Sequence, residues 1–139
     1  MRPKIFLDTN ILLDYYLDRS GAYEAGQIFR AANVGKIDIF ASFLTFANFA
    51  YVAKHNHTQE EVYVALDKFE RFVKVLPMDS KQLRAAIDNP CRDFEDMLQI
   101  QCAKAGRCDV IITNNTKDFA EFCEMPFMTA AQFVAEWSK

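Results

Sequence analysis

Short runs of apolar and β-branched residues, each followed at once by a helical stretch, constrain this chain more than any other feature. Lys4 to Leu7 read as a buried strand, and from Thr9 the apolar positions Ile11, Leu12, Tyr15 and Tyr16 recur at helical spacing. Ile37 to Ala41 form a second such strand. The run SFLTFANFAYVAKH after it is too long for a strand, and Phe46, Phe49, Ala50 and Ala53 share one helical face, with Ser42 as a natural N-cap. Asp109 to Thr113 repeat the pattern ahead of an Asn114-Asn115 turn and a short helix over Lys117 to Phe122. Strands separated by helices along a whole chain predict a parallel sheet covered on both faces: a three-layer α/β/α sandwich with about four to five strands.

The intervening segments agree. Ala25, Ile28, Phe29 and Ala32 lie on one stripe between Gly21 and Ala32, with Gly35 as a stop signal. Thr58 and Glu61 fit a capping box, and Val62, Ala65, Leu66, Phe69, Phe72 and Val73 continue an amphipathic helix to Pro77. A shorter helix near Ser80 to Ile87 precedes Pro90, and DFEDMLQIQCAKAG reads as a helix capped by Asp93 and ended by Gly106. Pro126 to Met128 read as an edge strand and Ala130 to Trp137 as a terminal helix. With 139 residues, 51% of them apolar, and no repeat, low-complexity tract or linker, residues 1–139 are expected to form a single domain.

Charge and cysteine usage exclude several functions. The net charge is −3 and the pI about 5.4, so the overall field repels nucleic acid, and any such contact must be local or bridged by metal. The opening MRPKIFLDTN has too short an apolar run for a signal peptide or a membrane span, so a cytoplasmic location is expected. Cys91, Cys102, Cys108 and Cys123 contain no CxxC and read as buried free thiols, and His55 and His57 lie in a polar stretch that resembles no common zinc spacing.

In open α/β sheets, ligands bind beyond the carboxyl ends of the strands. Asp8, the helix from Ser42, and the segment Thr113 to Asp118 must all emerge there, and Asp96 falls in the first turn of its helix. Asp8, Asp96 and Asp118 bring carboxylates, and Asn10, Asn48, Thr113 and Asn115 can add neutral oxygen ligands or hydrogen bonds. Hard oxygen donors suit Mg2+ or Mn2+, and a cation offsets the repulsion of clustered acids. Taken singly, each acid also fits a helix terminus: Asp8 as a cap, Asp93 with Asp96 as a loose capping box, Asp118 with Glu121 as another.

The segments IFLDTNILLDYYL, DFEDMLQIQCAKAGRCDVIITNNTKDF and PFMTAAQFVAEW together resemble the PIN-domain (PilT N-terminus-like) family almost end to end. The resemblance implies that Asp8 is the first acid of a metal site, Asp96 the third and Asp118 the fourth, with Thr113 and Asn115 as polar supports. The family's second acid, usually a glutamate, corresponds here to Asn48, which implies weaker metal binding. The function so implied is a Mg2+- or Mn2+-dependent endoribonuclease of the VapC toxin type, with RNA as substrate, a small antitoxin protein as partner and a homodimeric state. The competing reading is a catalytically weak PIN domain that binds RNA or protein without cutting. A haloacid-dehalogenase-like phosphatase would want an aspartate where Asn10 stands. Asp14 is a secondary candidate, Glu95 is expected to face solvent, Lys117 to be simply exposed, and the phenylalanines at 40, 43, 46 and 49 to form a core stripe, with a dimer face as the alternative.

Overall fold

The computed structural model describes residues 2–137. Its strands are β1 (Lys4–Leu7), β2 (Asp38–Ala41), β3 (Lys74–Val75), β4 (Val110–Ile112) and β5 (Phe127–Met128). Its helices are α1 (Thr9–Tyr16), α2 (Ala22–Asn33), α3 (Phe43–Ala53), α4 (Gln59–Phe72), α5 (Ser80–Asp88), α6 (Phe94–Ala105), α7 (Thr116–Phe122) and α8 (Ala130–Trp137). The strands form one parallel sheet in the order β3-β2-β1-β4-β5. The expected three-layer α/β/α sandwich is therefore what the chain adopts.

Because successive strand side chains point to opposite faces, each strand feeds two cores. Ile5, Leu7, Ile39, Ala41, Val110 and Ile112 pack with α1 to α4 and α8, whereas Phe6, Phe40 and Ile111 pack with α5, α6 and α7. Phe49 on α3 is fully buried and meets Tyr16 and Phe69 edge-on at ring-centroid distances of 5.2 and 5.2 Å. Phe49→Ala leaves a cavity at the centre of this aromatic cluster, so urea unfolding is expected to show a loss of about 3–5 kcal/mol. The proposed stripe holds for Phe49 and partly for Phe46; Phe40 lies on β2 and packs into the core on the opposite face of the sheet, and Phe43 is 65% exposed.

One element departs from the sequence reading. The helix from Thr58 stops at Phe72 instead of running to Pro77, because Val73 turns extended (φ −98°, ψ 120°) and Lys74–Val75 join the sheet beside β2. The Leu76 N–H donates to the Ala41 carbonyl at 2.8 Å. A hydrophobic stripe continues equally well onto a strand, so sheet pairing decides the end of this helix.

The topology also sets the place of the site. The chain begins in the middle of the sheet, builds outward through β2 and β3, and returns to the other side of β1 as β4. Such a reversal opens a crevice at the carboxyl ends of the two strands that flank it, here β1 and β4.

Candidate active site

Asp8 and Thr113 directly follow the paired residues Leu7 and Ile112. The register continues past the strand ends: the Asp8 N–H donates to the Ile112 carbonyl at 3.0 Å, and the Thr113 hydroxyl donates to Asp8 Oδ2 at 2.8 Å. Asp8 also caps α1, with Oδ1 accepting from the Thr9 N–H at 2.8 Å, and Oδ2 accepts from Asn10 Nδ2 at 3.2 Å. The capping role read for Asp8 is thus formed. Burial raises its pKa above the ordinary value; the Thr113 and Thr9 hydrogen bonds oppose this, and the negative charges of Glu95 and Asp93 add to it.

Asp96 enters from α6. Asp93 caps this helix by accepting the Asp96 N–H at 3.0 Å, which fixes Asp96 in the first turn as expected. The Asp96 side chain is buried, and its Oδ2 has no hydrogen-bond partner. Burial first, then the charges of Asp8, Asp93, Glu95 and Asp118, push its pKa to about 7. A buried carboxylate oxygen that meets only other acids is costly, and this is the state that a cation or a proton relieves.

Asp118 lies at the rim on α7, turned toward a cation of the chain itself. Its Oδ1 accepts from Arg92 Nη2 at 2.6 Å, its Oδ2 accepts from Asn115 Nδ2 at 2.9 Å, and Arg92 also pairs with Glu121 at 3.2 Å. The capping box read for Asp118 and Glu121 is not formed: α7 begins at Thr116 after Asn115, and the two acids share Arg92 instead. The Asn115 N–H also donates to the Thr113 hydroxyl at 3.0 Å, which links Asp118 through Asn115 to the Thr113–Asp8 pair.

Asn48 on α3 faces Glu95 on α6, its amide donating to the Glu95 carboxylate. Glu95, expected to be solvated away from the site, is exposed yet drawn toward α3 by this bond. Helical rotation alone could not reveal it, because the partner comes from another element. Lys117 is exposed, as read.

Several positioning residues are not evident from the chain alone. Ser42 Oγ donates to Gln99 Oε1 at 2.5 Å and Gln99 Nε2 donates to Thr45 Oγ1 at 3.0 Å, so a buried, mutually satisfied polar network ties the start of α3 to α6. Asp14, buried on α1, accepts from Asn114 Nδ2 at 2.7 Å, and the Asn114 N–H donates to Asn10 Oδ1 at 3.3 Å. Asp14 thereby anchors the β4–α7 turn and does not join the acids. Gly21 packs against this anchor with φ +99°, and an added Cβ would lie 3.1 Å from Asp14 Oδ2 and 3.3 Å from Asn114 Nδ2. Gly21→Ala is expected to cost more than about 1 kcal/mol in a thermal or urea melt. Polar residues spaced along α3, α6 and the β4–α7 turn were the only available signals for these roles.

The donors are all oxygens, which suits a hard divalent cation, and the orphaned Asp96 Oδ2 supplies an unspent ligand atom. As the side chains stand, no group of three or more His, Cys, Asp or Glu residues among the described residues is gathered closely enough to hold an ion. Asp118 in particular is paired with Arg92. The cysteines are free, and burial holds the Cys102 and Cys108 thiols at about 11, which makes them poor ligands and nucleophiles. A groove of about 790 Å³ lies elsewhere, between α1, α2 and α4, and contains none of the three aspartates. No helix among the described residues is long and apolar enough to cross a membrane.

Comparison with known proteins agrees with the fold. Ribonuclease VapC1 of Aquifex aeolicus (strain VF5) is 22% identical over 141 residues, spanning 97% of this chain and 96% of that protein. The crystal structure of VapBC2 from Rickettsia felis bound to a DNA fragment from their promoter matches with a TM-score of 0.71 at 18% identity, covering 91% of this chain and 98% of the matched one. A toxin-antitoxin complex from Klebsiella pneumoniae matches with a TM-score of 0.66 at 24% identity, covering 91% and 97%. The sequence profile described as PIN domain matches residues 4–117, most of the chain. This chain belongs to the PIN domain family.

Proposed function

We propose that the chain is an endoribonuclease that uses a divalent cation, Mg2+ or Mn2+, at Asp8, Asp96 and Asp118. The observation that carries this reading is the buried, unpartnered Asp96 Oδ2 beside Asp8 at the switch point of the sheet. A bound divalent cation supplies Lewis-acid polarisation of a phosphodiester and lowers the pKa of an attacking water. The chain's own groups prepare the site. Thr113 and Asn10 fix the orientation of Asp8, Asp96 gives up its proton to act as a ligand, and Arg92 can exchange Asp118 for a backbone phosphate.

A toxin role fits the similarity to ribonuclease VapC1 and to solved toxin–antitoxin complexes, and a small antitoxin that covers the acidic cleft is the partner this reading calls for. Exposed aromatics on α3 and α4, namely Phe43, Tyr51 and Tyr63, offer a face for a homodimer, which light scattering at micromolar concentration would detect. The second reading, a domain that binds without cutting, is favoured by the absence of an acid at position 48.

The test is incubation of the purified protein with structured and single-stranded RNA in Mg2+, Mn2+ or EDTA. Cleavage is expected only with a cation. Undiminished cleavage in EDTA would contradict metal dependence, and binding without cleavage in either metal would establish the second reading.

A further inference from the structure

We propose that Glu95 supplies a fourth carboxylate to the cation site, reaching it from α6 with Asn48 on α3 as its hydrogen-bonding support. The proposal rests on the metal-site reading above. Glu95 neighbours Asp96 in the first turn of α6, and its exposed carboxylate accepts the Asn48 amide. Among the described residues no lysine or arginine pairs with Glu95, so its charge is not committed elsewhere.

The scaffold holds this arrangement in place. Thr45 and Gln99 are bonded to each other in the buried network, and Asn48 and Glu95 stand one turn from them on the same two helices. The contact that locks α3 to α6 therefore also sets the Asn48–Glu95 pair. Asp96 Oδ2, in a side chain only 9% exposed and without a partner, is the independent sign of a ligand at this point. Glu95 is close enough to contribute negative potential at both Asp8 and Asp96. An amide at position 48 cannot bring charge to the cleft, but its N–H can orient an acid that does.

Calorimetric titration with Mn2+ of wild type, Glu95→Gln, Asn48→Ala and Asp96→Asn tests this, with circular dichroism as the check on folding. Glu95 is exposed, so Glu95→Gln should keep the fold. Glu95→Gln is expected to weaken Mn2+ binding at least roughly tenfold, and Asn48→Ala, which leaves the acid but removes its support, by less. Wild-type affinity in Glu95→Gln, with binding lost in Asp96→Asn, would overturn the role of Glu95 and leave the metal site standing. Wild-type affinity in both Glu95→Gln and Asp96→Asn would overturn the metal site and this proposal together.

Discussion

Asp96→Asn is expected to abolish cation-dependent RNA cleavage, by at least roughly 100-fold, while making the metal-free protein harder to melt. The two effects have one cause. Asp96 is buried with an orphaned oxygen among Asp8, Asp93, Glu95 and Asp118, so its ionised form destabilises the folded chain unless a cation is present. The amide keeps the shape and removes the charge. At about pH 8, where the wild-type carboxylate is ionised, each kcal/mol relieved should raise the melting temperature by roughly 4 °C. Asp96 would thus be a residue whose chemistry is bought with stability, and a variant that lost activity and also melted earlier would point to simple misfolding.

The second large effect is a pH dependence that a metal cancels. In the unfolded chain the Asp96 carboxyl loses its proton near 3.8, and in the folded chain near about 7. Between these values the folded state binds the extra proton, so stability falls as pH rises. This contribution is fully present below 3.8, is lost as pH rises through about 7, and is constant above that. The raised pKa of Asp8 acts in the same direction. Thermal melts in EDTA should therefore show lower stability at about pH 8 than at about pH 5, and Mg2+ should restore it mainly at the higher pH, where the ligands are ionised. In Asp96→Asn the slope between the two conditions should shrink, and so should the effect of Mg2+. A Mg2+ response as large at pH 5 as at pH 8 would count against carboxylate ligands.

What could be read from the sequence follows from what is local. The strands at Lys4–Leu7, Asp38–Ala41 and Val110–Ile112 are short, β-branched and bounded by polar helix starts, and the caps at Ser42, Thr58 and Asp93 lie within a few residues of the N–H groups they accept. Both kinds of signal belong to one segment at a time. β3 was missed because Val73 satisfies the stripe of α4 as well as an extended conformation, and only pairing with β2 separates them. The Arg92–Asp118 pair is not legible because the partners are 26 residues apart, and Glu95 is exposed as expected but its bond to Asn48, 47 residues away, is not legible either. The Ser42–Thr45–Gln99 network is long-range in the same sense, with Gln99 57 residues beyond Ser42.

The three aspartates were legible for a different reason. Each sits where a strand or helix must deliver it to the carboxyl edge of a parallel sheet, so the fold predicts that they share this edge, though as the side chains stand they are not gathered round one point. Their present hydrogen bonds were not legible. Asp8 is already fixed by Thr113, Asp96 waits with an open oxygen, and Asp118 is held by Arg92.

The most direct test of the acidic cleft as the seat of RNA hydrolysis compares wild type, Asp8→Asn and Asp96→Asn on the same RNA in Mg2+ and in Mn2+, with folding verified for each. Cation-dependent cleavage is expected of wild type, and its loss in both variants. Equal cleavage by all three proteins would contradict that role of the cleft.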